Sequence, residues 1–289
     1  MNFLKLLFSP IVAIFKFINE YFKTMIFLLI LFLIFIYPDS KGVHTPNLVQ
    51  IDISGMILDS QKTLKEIHEA TKDDHIKGVL LFIDSPGGAL APSTEIAMAV
   101  KKLRAEKPVI AYAGGTMTSG SYYSGVNSNK ILANPGSFIG SIGVIIQAPN
   151  ISELASKIGI SQQVVKAGEF KEVGTFAREW SSIERNELEK LVKKSYDMFV
   201  KDVATARNLD INKSLEWANA RVFLASDAKR VGLIDDVSDY YSARKEIESL
   251  SGVATPVWKE KHAYERALEG IFKEGVNSLI NAVFTNKIR

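Results

Sequence analysis

Residues 114–125, GGTMTSGSYYSG, set hydroxyl side chains among glycines without a single charge, between the apolar runs PVIAYA and KILANP. A Ser/Gly segment usually serves as a loop, because glycine reaches dihedrals that other residues avoid and serine satisfies nearby backbone groups. This one also holds a candidate nucleophile. Ser119 follows an apolar run and precedes Gly120 and the aromatic run SYYSG. If that run is helical, Ser119 sits at a helix N-terminus, where free N–H groups and the dipole favour developing negative charge. The same place suits an N-capping serine, so residue type alone leaves both roles open.

A second glycine turn, DSPGG, follows another apolar run. Gly87 and Gly88 would let backbone N–H groups approach a ligand atom, as an oxyanion hole requires, or would simply make a tight turn. A serine nucleophile needs a base. No GxSxG elbow is present, and none of the four histidines (His44, His68, His75, His262) stands in a motif. His68 and His75, in HEATKDDH, lack the i, i+4 spacing of a helical zinc pair, so no metal is expected. The chain has no cysteine, which excludes disulfides, thiolate metal sites and a cysteine nucleophile. A lysine with a lowered pKa is the remaining single-residue base. VVKAGEFKEVG offers Lys166 and Lys171, either of which a solvated surface would also explain.

The elements that must position these residues read as alternating strands and helices. LVQIDISGMI, KGVLLFID and PVIAYA are strand candidates, and SQQVVKAG is one more. PSTEIAMAVKKLRAE between them has helical spacing. Strand and helix in alternation predict βαβ units and a largely parallel sheet with both faces covered, where reactive loops gather at the carboxyl ends of strands. Residues 181–207 read as one long amphipathic helix capped by Ser181 or Ser182, followed by a second helix near 211–220.

The N-terminus differs. MIFLLILFLIFIY, residues 25–37, is uncharged. Alone it would rise about 20 Å, and extension back to Phe17 reaches spanning length, with Lys23 able to snorkel. Lys5, Lys16 and Lys23 precede the run, whereas Lys41 and Asp39 follow it, which places the N-terminus in the cytoplasm and the bulk of the chain across the membrane. A poor cleavage site around SKG favours an uncleaved anchor over a signal peptide. Polar residues recur at helical spacing over residues 1–23, as in an interfacial helix or an anchor bent at Pro10. The last 25 residues carry Leu268, Ile271, Phe272, Val276, Leu279, Ile280, Val283 and Phe284 on one helical face. That face could pack on its own domain, on a subunit or on the membrane. Net charge is +3 without a basic block, so nucleic acid is not an expected partner.

DSPGG, TSGSYYS, NPGSFIGSIGV, KAGEFKE and ARVFLASDAKRVGLID occur in the order and rough spacing of bacterial signal peptide peptidase A, or protease IV. The chain resembles the short, single-domain form with one anchor. The resemblance implies a Clp protease/crotonase-like superspiral of βαβ units. It implies Ser119 as nucleophile, Lys171 as general base, Gly88 and Gly120 as oxyanion-hole donors, and Ser141 as a hydrogen-bond partner of the lysine. It also implies no cofactor, hydrophobic peptides such as remnant signal peptides as substrates, and a membrane-tethered homo-oligomeric ring at the bacterial inner membrane with the catalytic domain extracytoplasmic. The expected division is an amphipathic segment at 1–23, an anchor at 24–38 starting as early as 17, a serine protease domain at 46–240 and a C-terminal helical extension at 241–289.

Three positions depart from the family pattern. Ser121 replaces the second glycine of SGGYY and could narrow the site; Ala167 replaces a serine in the lysine motif; Ala220 replaces a glycine before RV. A base lysine must be desolvated to be neutral near pH 7, and Phe170, Tyr122 and Tyr123 are candidates for that apolar surround. The competing functions are a non-catalytic membrane scaffold of the same fold and an acyl-CoA-binding crotonase-like enzyme, which needs neither the Ser119/Lys171 pair nor an anchor.

Overall fold

The computed structural model describes residues 3–36 and 45–259. Helix α1, Phe3–Ile36, runs through Pro10 without a break. Its described side chains lie at 14 and 16–32, so the expected anchor at 24–38 extends past them. Among the described residues no helix is long and apolar enough to cross a membrane. The apolar C-terminal face at 268–284 lies outside the described residues.

Residues 45–259 form one compact unit. Strands β1 (Leu48–Ser54), β2 (Gly78–Ser85) and β3 (Val109–Thr118) alternate with helices α2 (Gln61–Lys72) and α3 (Leu90–Glu106). Then come α4 (Gly120–Gly125), β4 (Lys130–Ala133), β5 (Phe138–Gly140), α5 (Ser152–Lys157) and α6 (Ser182–Arg207). A 3-10 turn and α7 (Ser214–Trp217) lead to β6 (Val222–Leu224), α8 (Ala225–Arg230), β7 (Asp236–Val237) and α9 (Tyr240–Leu250). Strands β1, β2, β3, β4 and β7 pair in that order, all parallel.

The two faces of this sheet follow from the alternation of side chains along each strand. Ile51, Ile53, Leu81, Ile83, Ala111 and Ile131 point to one face and pack with residues of α2, α3, α4 and α6. Leu80, Ile110, Tyr112 and Leu132 point to the other, where Ala243 and Ile247 of α9 cover them. Burial on both faces is why the strands read as continuous apolar runs. The compact unit therefore includes α9 and a final stretch in which Lys259 N–H donates to Leu48 O at 2.8 Å.

β3 divides between two neighbours. Ile110–Ala113 pairs with β4, and Thr116–Thr118 pairs with β5, which in turn pairs antiparallel with β6. The GGTMT stretch is thus strand, not loop. At the fork a Cβ on Gly115 would lie 2.5 Å from Asp84 Oδ1, the same oxygen that accepts Thr116 N–H at 2.9 Å. The carboxylate stands in for a ladder partner where the β2–β3 register shifts between Ile83 and Ser85.

Candidate active site

Ser119 directly follows the diverted half of β3 and precedes α4. Its backbone has φ +53° and ψ −126°, a region that side chains other than hydrogen rarely occupy and that costs of order 1–3 kcal/mol. Two hydrogen bonds hold it there: Ser119 N–H donates to Gly140 O at 2.7 Å, and Tyr123 N–H donates to Ser119 O at 3.0 Å. The side chain does not cap α4, and Oγ has no hydrogen-bond partner among the described residues. The capping role left open by the sequence is therefore absent. The residue is half-buried rather than sealed in the core.

The glycine turn after β2 meets this serine directly. A Cβ on Gly87, at φ +96°, would lie 2.8 Å from Ser119 Cβ and 2.7 Å from Gly120 N. Gly88 has no room for a side chain either, since a Cβ would come within 2.1 Å of Ile57 O. Ile57 N–H donates to Gly87 O, and Ala89 N–H donates to Ile57 O. These bonds occupy residues 87 and 89, so the N–H of Gly88 is directed away from Ile57. A Cβ on Gly120 would lie 3.2 Å from Gly88 N and 2.2 Å from Ser93 Oγ. Neither Gly88 N–H nor Gly120 N–H has an acceptor among the described residues. Two unpaired backbone donors beside a free hydroxyl can stabilise an oxyanion formed on attack by that hydroxyl.

Ser121 does not narrow this site. It is fully buried, accepts Thr118 N–H at 2.9 Å and lies 2.6 Å from Ser85 O, to which its hydroxyl donates. It ties the turn of Ser119 to the end of β2 from beneath. Tyr122 and Tyr123 are likewise committed elsewhere than around a lysine. Tyr122 is buried in the core with its hydroxyl donating to Leu233 O at 2.7 Å. Tyr123 stacks on Phe199 at 4.4 Å between ring centroids and donates to Asp202. Burial and that carboxylate push the Tyr123 phenol above its ordinary range.

Ser141 follows Gly140, whose carbonyl holds Ser119, and itself has φ +50°. Its N–H donates to Arg221 O at 2.7 Å, and its hydroxyl has no partner among the described residues. Ala220, in the turn that precedes β6, has φ +54°, and a Cβ on Gly143 would lie 2.7 Å from the Ala220 methyl. The departure from glycine at 220 thus sits where glycine would be unstrained.

Lys171 lies apart from this group in bonding terms. It is exposed, and its ammonium has no hydrogen bond or ion pair among the described residues. Its loop belongs to an arm, residues 143–183, that contains no buried residue. The strand expected at 161–168 is not formed: the segment is exposed and carries no ladder. What shapes the loop is polar. Glu172, next to Lys171, accepts Lys166 Nζ at 3.1 Å and Arg178 at 2.9 Å. Arg178 also makes two bonds of 2.8 Å to the buried Glu184. Glu184 Oε2 accepts Ser181 N–H at 2.9 Å while Ser181 Oγ accepts Glu184 N–H, a capping box that starts α6. Arg178 and the Ser181 N–H hold the Glu184 carboxyl down at about 2. SSIE signals this cap in the sequence, but no local pattern announces Arg178. Among the described residues no group of acidic or histidine side chains could hold a metal ion.

Residues 101–254 match the model of peptidase family S49. The protein MJ0651 of Methanocaldococcus jannaschii is 36% identical over 198 residues, which cover 68% of this chain and 64% of that one. Protease 4 of Haemophilus influenzae is 28% identical over 228 residues, 74% of this chain and 36% of that one. The chain thus spans less than two thirds of the length of either relative. Among solved structures, the S97A mutant of 1510-N, a membrane-bound stomatin-specific protease, aligns with a TM-score of 0.51 at 14% identity, covering 75% of this chain and 98% of that one. That likeness concerns the βαβ fold. The family match takes in α4, the β5–β6 pair, the arm and α6, and by it the chain belongs to peptidase family S49.

Proposed function

We propose that this chain is a membrane-anchored serine endopeptidase in which Ser119 is the nucleophile and Lys171 the general base. The observation that carries the reading is Ser119 itself, a strained residue with a free hydroxyl beside the unpaired N–H groups of Gly88 and Gly120. Neutral Lys171 Nζ takes the Oγ proton as Oγ bonds to the peptide carbonyl carbon. The carbonyl electron pair moves to oxygen, where the N–H groups of Gly88 and Gly120 bind it. As the tetrahedral intermediate collapses, the C–N bond breaks and the lysine ammonium returns the proton to the leaving amine. Water then releases the acyl group by the same proton transfers in reverse order.

Lysine can act in this way only when desolvated, and the arm of Lys171 lacks any covering of its own. Leu154, Ile158, Ile160 and Val165 are all exposed there. An exposed apolar surface of this kind fits a contact with another chain, a membrane or a ligand. In our reading a second copy covers the arm within a homo-oligomeric ring, and Ser141 accepts a bond from the lysine once it is seated. The apolar run at 25–37 anchors the ring with the N-terminus cytoplasmic, and the site meets hydrophobic peptides such as remnant signal peptides leaving the bilayer.

The test is mass-spectrometric mapping of a covalent serine inhibitor on detergent-solubilised protein, with Ser119→Ala as control. Adduct on the peptide containing Ser119, absent in the variant, is the expected result. An adduct elsewhere, or none, overturns the assignment of the nucleophile.

A further inference from the structure

The position of Lys171 is not set by apolar packing, because no residue of the 143–183 arm is buried. Local turns give it shape: Lys171 N–H reaches Gly168 O at 3.3 Å, and Thr175 N–H reaches Glu172 O at 3.1 Å. Such turns fix a loop's curvature but not its orientation against the fold. Orientation needs a tether to a rigid element, and one cation supplies it. Arg178 bonds Glu172, the neighbour of Lys171, and with both terminal nitrogens grips Glu184, which is locked into the cap of α6. The α6 helix is in turn joined to the helix of the nucleophile, since Tyr123 stacks on Phe199 and donates to Asp202. A planar guanidinium can hold two carboxylates in fixed geometry where an ammonium cannot.

We propose that Arg178 is a positioning residue for the base: it fixes Lys171 by tethering Glu172 to the start of α6. This rests on the assignment of Lys171 as base, and the experiment separates the two. The charged groups around the loop are Lys166, Glu169, Glu172, Arg178 and Glu179 on the arm, Glu184 and Arg185 on α6, and Glu153 and Lys157 on α5, which joins the loop through Ile151 N–H to Phe176 O.

The test is the pH–rate profile for cleavage of an apolar fluorogenic peptide by the full chain in detergent, with Lys171→Ala, Arg178→Ala, Arg178→Lys and Glu172→Ala. Loss of the tether should lower kcat at the alkaline plateau by roughly tenfold or more in both Arg178→Ala and Glu172→Ala, since small misplacements of a catalytic group are costly, while KM changes little. Arg178→Lys should recover part of it. The rising limb should move to higher pH in Arg178→Ala, which removes a positive charge, and to lower pH in Glu172→Ala, which removes a negative one. Opposite movements with plateau kcat within about threefold of wild type would make the network a matter of charge alone and overturn positioning. Parallel losses that track thermal unfolding, with no movement of the limb, would make it structural and overturn it equally. Glu172→Ala, on the exposed arm, keeps the test decisive if Arg178→Ala fails to fold. Activity retained in Lys171→Ala would overturn the base assignment itself, whereas an inactive Lys171→Ala beside normal plateaus in the other variants would overturn only the role of Arg178.

Discussion

Ser121 Oγ donates to the carbonyl of Ser85 at 2.6 Å, joining the turn of the candidate nucleophile to the end of the neighbouring strand. The same oxygen accepts Thr118 N–H at 2.9 Å. Substitution Ser121→Gly, which restores the commoner family residue, would leave the buried Thr118 N–H and Ser85 carbonyl without this partner. An unmet buried group costs about 1–3 kcal/mol, so urea unfolding should show a loss of that order. Substrate preference should stay the same, because the side chain faces the core. Competition between peptides differing only in the residue before the scissile bond checks this, and an altered ranking would contradict the placement.

Ala220 at φ +54° predicts the opposite sign. Left-handed backbone costs an L-residue about 1–2 kcal/mol, against which glycine loses about 0.5–1 kcal/mol of unfolded-chain entropy. Ala220→Gly should therefore stabilise the chain by about 1.5 kcal/mol at most. Gly143→Ala alone should destabilise it, since its methyl would fall 2.7 Å from that of Ala220. In the Ala220→Gly background that clash is gone, so the two substitutions should be coupled in a double-mutant cycle of thermal unfolding. Simple additivity would contradict the contact.

The sequence exposes the sheet because burial on both faces demands continuous apolar runs, and KGVLLFID and PVIAYA are such runs. It does not expose where β3 ends. GGTMT resembles a loop because it holds no apolar run, and the partners that make it a strand, β5 and the carboxylate of Asp84 at the fork, lie elsewhere in the sequence. SQQVVKAG reads as a strand from β-branched side chains, yet propensity without a neighbour to pair forms no ladder. That Ser119 and the turn at Gly87 and Gly88 follow strands is legible from serine and glycine after apolar runs; that the two turns meet is not, and Gly120 is marked only by the family resemblance. The roles of Ser121, Tyr122 and Tyr123 were not, since each depends on which way a side chain points out of a six-residue helix.

Glu184 makes the start of α6 sensitive to acid. Its carboxyl lies at about 2 in the folded chain, below an ordinary value of 4.5, chiefly because of Arg178 and then the Ser181 N–H. A depressed carboxylate contributes stability that is fully present above the unfolded value and is lost as pH falls through the folded one. Thermal unfolding temperature should thus decline between about pH 5 and pH 2, and Glu184→Gln should flatten that part of the curve. A variant with an unchanged slope over this window would show that other carboxylates govern the acid limb.

The exposed arm carries the final prediction. Val165 and Leu154 lie fully or largely in solvent, within a segment that buries nothing. A charge at Val165 therefore costs the single chain almost nothing, since surface substitutions away from packed groups change stability by about 0.5 kcal/mol or less. In an assembly that covers the arm, the same charge would be buried without a partner, which is strongly unfavourable. Val165→Asp should consequently leave the unfolding of the dispersed chain unchanged while abolishing the higher-mass species in light scattering of the detergent-solubilised protein. If, as proposed, covering the arm is what desolvates Lys171, peptide cleavage should fall with assembly. An assembled and active Val165→Asp protein would place the contact between copies elsewhere on the molecule.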